Sequence, residues 1–124
     1  MLGIKPPSIN SKEDIMSREI KFRAWHKNAN YMCQNARTNL LYKDYLEFMQ
    51  YTGLKDKNGI EIYESDIIEE VYPERTIIGK IIYNKDSFEI EWISKNHFNN
   101  NILHVRTDSI QVVGNVYQNA GLLE

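Results

Sequence analysis

Five acids, Glu61, Glu64, Asp66, Glu69 and Glu70, crowd the middle of the chain and are the first candidates for chemistry. Two carboxyls in unlike surroundings, one kept protonated and one ionised, could carry glycoside cleavage or general acid–base work. Glu69 and Glu70 are adjacent, however, and in a strand adjacent side chains point to opposite faces. Read as solvent-side acids that discourage edge pairing, they need no reactivity.

Other catalytic chemistries have less to stand on. His26, His97 and His104 are far apart, and no His-x3-His, Cys-x2-Cys or EF-hand spacing occurs, so neither a metal nor a cofactor is expected. Cys33 is the single cysteine, which excludes an internal disulfide and a thiolate cluster; it reads as a small hydrophobe or a surface thiol. Gly-x-Ser-x-Gly is absent, and the six glycines form neither a dinucleotide fingerprint nor a phosphate loop. The expectation is a protein that is not an enzyme and takes no small-molecule substrate.

Binding chemistry is better represented. Lys21 and Arg23 alternate with Trp25, with Arg18 and Lys27 close by. Cations that track a phosphate backbone beside an aromatic for base stacking are the usual means of holding a single strand. Yet the net charge is −2, and a handful of phosphate contacts gives weak binding. Trp25, Tyr31, Tyr42, Tyr45, Tyr51 and Tyr63, with arginine as companion, are the residue types that make protein contact hot spots. Charge is also uneven along the chain. Residues 1–45 carry eight Lys/Arg and four Asp/Glu (+4), residues 46–75 three and eight (−5), residues 76–124 four and five (−1). The basic front and acidic middle can pair within one chain, or between copies in a two-fold dimer or a head-to-tail ring. Protein is the expected partner, with self-association as a homo-oligomer included, and nucleic acid is the alternative. The candidate binding residues are Lys21, Arg23 and Trp25 of the first strand, and Tyr51, Lys55 and Lys57 beside a central loop.

Short strands must position these residues. The 124 residues make about one domain. Met1 to about Met16 holds Pro6-Pro7 and shows no periodicity, so it reads as a flexible arm. In Arg18–Trp25, Ile20, Phe22 and Ala24 share one face, with Glu19, Lys21, Arg23 and Trp25 opposite, which predicts a half-buried strand. Lys27–Asn30 is a turn, and Tyr31-Met32 begins the return. Cys33–Thr38 shows no pattern, and over Leu40–Met49 a helix competes with a strand. From Phe48 strands dominate: Phe48–Thr52, Asp66–Tyr72 stopped by Pro73, Ile77–Tyr83, Phe88–Ile93, Ile102–Arg106 and Ile110–Tyr117. Asn84–Ser87 reads as a four-residue hairpin loop and Ser94–Asn101 as an Asn-rich loop. Gly53 ends a strand, Asn58-Gly59 supplies a tight reversal, and Lys55, Asp56 and Lys57 sit on an exposed loop. Asp66 is placed to accept backbone N–H bonds, and Gly114 marks a bulge or a close backbone approach. The sum is mainly β, a small barrel or sandwich. No apolar run nears the roughly 20 residues of a membrane span. The first sixteen residues do not have the make-up of a signal peptide, so a cytoplasmic location is expected.

Three blocks, "REIKFRAW", "MQYTGLKDKNGIEIYESDII" and "IQVVGNVYQNAGLL", resemble the YopX family of phage and prophage proteins and occur in the same order, over about Arg18 to Leu123. Ser65 stands where that family usually has Gly, Ile68 where Val is usual, and Ala120-Gly121 where Pro-Glu is usual. Whether residue 65 keeps a positive φ, and whether a short helical turn forms near the end, is left open by these departures. The resemblance implies an SH3-like barrel over residues 46–124, preceded by a smaller β-rich segment over 17–45 and the arm over 1–16. It also implies a mobile-element origin in a bacterial host, and no catalytic residues.

Overall fold

The computed structural model describes residues 19–41, 43–93, 100–101 and 107–124. The arm over 1–16, Arg18, Tyr42, His97, His104, most of the Asn-rich loop and the strand expected over 102–106 lie outside the described residues. Among the described residues nine strands form two antiparallel sheets. β1 (Phe22–His26), β2 (Tyr31–Ala36), β3 (Leu46–Lys55) and β4 (Glu61–Tyr63) make a four-stranded sheet in the order β2-β1-β3-β4. β5 (Asp66–Val71), β6 (Thr76–Asn84), β7 (Ser87–Trp92), β8 (Asn100–Asn101) and β9 (Ile110–Asn115) make a five-stranded sheet in the order β8-β7-β6-β5-β9. The fold is mainly β, with one sheet curled into a half-barrel, and among the described residues there are single 3-10 turns but no α-helix.

Period-two alternation builds the core. Ile77 and Ile81 of β6, Ile90 and Trp92 of β7, Ile68 of β5 and Ile110 of β9 meet Ile62 of β4, with Leu54, Phe88 and Val112 packed around them. Each such side chain removed from water contributes roughly 1.5–3 kcal/mol. The Trp92 ring lies on Gly79, where a Cβ would come within 2.9 Å of it and 2.7 Å of Ile90.

Several connections differ from the sequence expectation for local reasons. Asn84 and Ser87 are themselves paired, so the β6–β7 loop is only Lys85-Asp86, with Lys85 at φ 61°. A two-residue loop with positive φ matches the twist of its strands, which a longer loop would not need to do. Gly53 does not end a strand. It lies at φ 90° inside the ten-residue β3, where the pairing with β4 slips between Tyr51 and Lys55. Leu40–Met49 resolves into the end of a 3-10 turn (Thr38–Leu40) and the start of β3. The patternless stretch after Met32 continues as β2, an edge strand paired on one side only, where alternation has little to act on. β5 lies between β6 and β9, so Glu69 and Glu70 are not guards of an edge.

The first strand is turned the other way from its local pattern. Arg23 and Trp25 are buried, Ala24 is buried behind them, Phe22 is half-buried, and Ile20 is 69% exposed. A polar face can turn inward because its partners, Asp66 from the middle of the chain and Tyr117 from near its end, are distant in sequence.

Candidate functional site

The candidate binding residues of the first strand belong to a buried network. Arg23 is 6% exposed; its Nη2 donates to Asp66 Oδ1 at 2.7 Å and to the Glu64 carbonyl at 3.3 Å, and its Nε meets Met49 Sδ at 3.4 Å. Its guanidinium also lies 4.7 Å from the Tyr63 ring centroid. The other carboxylate oxygen of Asp66 accepts the Tyr63 N–H at 2.7 Å. Burial pushes the Asp66 carboxyl upward, and the Arg23 charge and the Tyr63 N–H oppose that shift. Trp25 stacks on Tyr117 with ring centroids 5.6 Å apart.

Lys21 and Tyr51 join the same cluster at its margin. Lys21 Nζ pairs with Glu61 at 2.5 Å and lies 5.2 Å from the Tyr51 ring centroid, while Tyr51 and Tyr63 rings pack 5.4 Å apart. The hydrogen bond to Glu61 holds the Lys21 ammonium above its ordinary range, and burial raises both phenols. The basic front thus meets the acidic middle within one chain, through Lys21–Glu61, Arg23–Asp66 and Lys27–Glu47.

The central loop is also built for shape. Lys55 and Lys57 are exposed as expected, but Asp56 is buried. Its Oδ1 accepts the Asn58 and Ile60 N–H groups at 2.8 and 2.9 Å, and its Oδ2 accepts the Val112 N–H at 2.8 Å. Gly59 takes φ 81° to close the turn, and Lys57 N–H donates to the Ile110 carbonyl at 3.1 Å. The loop is thereby bonded along the outer edge of β9. An acid placed before Asn-Gly is the sequence signal that could have predicted this inward turn.

The closing block works in the same way. Gly114 sits where β9 slips against β5 and where a Cβ would stand 2.5 Å from Asn119 Oδ1, so the bulge and the close approach coincide. Asn115 Oδ1 accepts the Tyr117 and Gln118 N–H groups, each at 3.0 Å, and Asn119 Oδ1 accepts the Asn115 N–H at 3.1 Å. Ser65 does keep a positive φ, 74°, with its N–H on the Ile81 carbonyl and its carbonyl taking the Val116 N–H. A 3-10 turn forms at Ala120–Leu123 despite the departure there.

The other acids have partners as well. Glu70 accepts Ser109 Oγ at 2.7 Å and the Tyr72 hydroxyl at 2.8 Å, and Glu69 accepts Gln111 Nε2. Glu64 is half-buried, and that burial raises its carboxyl. Among the described residues no group of three His, Cys, Asp or Glu side chains is arranged to hold a metal ion.

A model of the YopX protein family matches residues 34–124, which is most of the chain. The chain belongs to the YopX family. The first block, up to Trp25, precedes the matched residues, but solved relatives extend the likeness. Protein EF1440 from Enterococcus faecalis is 28% identical, with 85% of this chain and 98% of that one covered and a TM-score of 0.61. The yopX protein from Bacillus subtilis is 17% identical, with 84% and 98% covered and a TM-score of 0.56, a likeness of fold. None of the curated proteins compared with it matches the chain. Against this frame the YopX blocks have a common use: Arg23, Trp25, Met49, Tyr51, Asp56, Gly59, Tyr63, Asp66, Gly114 and Asn115 each hold the fold together.

What faces outward is different in kind. Opposite Arg23 and Trp25, the pairings Ala24 with Cys33 and Phe48, and His26 with Tyr31 and Leu46, place these residues on the other face of the first sheet beside Phe22; Ala24 is fully buried there, and the rest are half-buried or exposed. None of them carries a formal carboxylate, ammonium or guanidinium charge. Phe22 and Phe48 meet edge to face at 6.4 Å, and His26 stacks on Tyr31 at 5.1 Å and packs on Tyr45 at 4.8 Å. Tyr31 remains 49% exposed.

Proposed function

We propose that this YopX-family chain is a non-catalytic binding module, borne by a phage or prophage and working in the host cytoplasm, that contacts protein or a further copy of itself. The curled sheet serves as its SH3-like barrel. The uncharged, partly exposed outer face of the first sheet supports this reading, since apolar and aromatic surface left at the exterior is the usual substance of a contact. Of the residues singled out from sequence, Arg23 and Trp25 act from within by fixing that sheet. Lys21 and Tyr51 border the buried cluster, and Lys55 and Lys57 offer charge at the surface.

A weak nucleic-acid-binding role is the alternative, favoured by exposed Lys55 and Lys57 and by Lys43 lying 6.0 Å from the Tyr45 ring centroid. The test is solution mass by light scattering at low and high salt, with and without a single-stranded oligonucleotide. A multimer indifferent to the oligonucleotide is expected. A mass shift on the oligonucleotide that salt abolishes overturns the protein-contact role in favour of the alternative.

A further inference from the structure

The edges of the two sheets are treated unequally. Among the described residues β4 offers an edge of only three residues, and β8 is described for two. The outer side of β9 is occupied: the Ile110 carbonyl takes the Lys57 N–H, and the Val112 N–H goes to Asp56. β2 is six residues long, pairs with β1 alone among the described residues, and reads Tyr31-Met32-Cys33-Gln34-Asn35-Ala36. It holds no charged residue and no proline, the two devices that most often keep an edge from accepting another strand. Its one irregularity lies at the far end, where Asn35 has φ 54° and the register with β1 slips. Tyr31, Met32 and Cys33 pair residue for residue with His26, Trp25 and Ala24, so the ladder is regular over Tyr31–Cys33.

We propose that a second copy of this chain adds to β2 across a two-fold axis at Cys33, antiparallel, over Met32–Gln34. The absence of charge suits a copy of the same strand. In a two-fold contact the residue on the axis meets its own equivalent and its neighbours meet each other, so a charge at Cys33 would face a like charge, whereas a foreign partner could offer the opposite one. Cys33 lies on the axis, and Met32 of each copy stands opposite Gln34 of the other. Tyr31 and Cys33 lie on the outer face, so joining the edges also makes one continuous face of His26, Leu46 and Phe48 from both copies. This deepens the proposed function, on which it rests, by naming the partner and the strand.

The full chain, with Cys33→Lys and Cys33→Ser variants, is measured by light scattering over a concentration series, and circular dichroism and thermal melts verify folding. Wild type and Cys33→Ser are expected to be dimers. Cys33→Lys, which sets two ammonium groups across the axis, is expected to dissociate about tenfold or more readily with its fold retained. Should that variant not fold, the wild-type thiol serves instead. Antiparallel partners stand about 4.5–5.5 Å apart at Cα, so a short bis-maleimide is expected to join the two Cys33 side chains in native protein and not in urea. A monomer at all concentrations overturns the inference, as does a dimer whose Cys33 cannot be bridged. A multimer that folded Cys33→Lys leaves intact overturns the β2 pairing while self-association stands. A shift on the oligonucleotide instead overturns the protein-contact function itself.

Discussion

Arg23 and Asp66, 43 residues apart in sequence, form a 2.7 Å ion pair that is almost wholly removed from water and joins the two sheets. Taking charges out of water costs several kcal/mol per ion, which only good geometry and further hydrogen bonds offset. Here Tyr63 N–H and the Glu64 carbonyl provide those bonds.

Removing one partner leaves the other charge stranded. Asp66→Asn, which strands the guanidinium, and Arg23→Met, which strands the carboxylate, are each expected to destabilise by about 3–5 kcal/mol in urea unfolding. The double variant should lose clearly less than the sum of the two. Additive losses would show that the pair is not coupled.

Asp56→Ala leaves the N–H groups of Asn58, Ile60 and Val112 without their acceptor. Asn58 and Ile60 are exposed and Val112 is half-buried, so water replaces part of what is lost, and a loss of about 1–3 kcal/mol is expected. Amide exchange should accelerate at these three positions before it does in β6 and β7. Uniform acceleration would contradict a role local to the loop and β9.

Burial raises the Glu64 carboxyl above its ordinary range, opposed only weakly by the Gln50 N–H at 3.5 Å. The folded state therefore holds this proton more tightly than the unfolded chain does. Its contribution to stability is complete below the ordinary carboxylate range and is lost as pH rises through the raised value. At neutral pH the ionised group is a burden. Glu64→Gln is expected to melt above wild type at neutral pH, with a gap that narrows on acidification through the carboxylate range. A gap that widens on acidification would contradict the direction of this shift.

Gly114→Ala would press a methyl onto Asn119 Oδ1, which is already bonded to the Asn115 N–H, whereas a Cβ at Gly121 meets nothing within 4 Å. Gly114→Ala should cost about 1–3 kcal/mol in thermal or urea unfolding. Gly121→Ala should stay within about 0.5 kcal/mol.

Alternation made β6 and β7 legible, because one side of each lies in the core and the other nearer water, whereas in β5 Asp66, Ile67 and Ile68 are all buried and its apolar run was the signal. The turn at Lys27–Asn30 and the reversal at Gly59 were legible from backbone needs. The inward turn of Arg23 was not, since the acid that makes it tolerable is 43 residues away. Asp56 was misplaced on the surface for the same reason, one of its acceptor contacts being 56 residues distant. The four-residue loop expected over Asn84–Ser87 shrank because two polar residues joined the ladder. Cys33 and Tyr31 gave no sign of their common face, because an edge strand wetted along one side has no strong period to show.

That the YopX blocks are taken up by internal bracing has a consequence for kinship within the family. Two members could agree at Arg23, Asp56, Asp66 and Asn115 and still turn unrelated exteriors to the world, since these positions are interior. Divergence of role in such a lineage would be written in β2 and the outward side chains of β1 and β3, where mutation meets little resistance from the architecture.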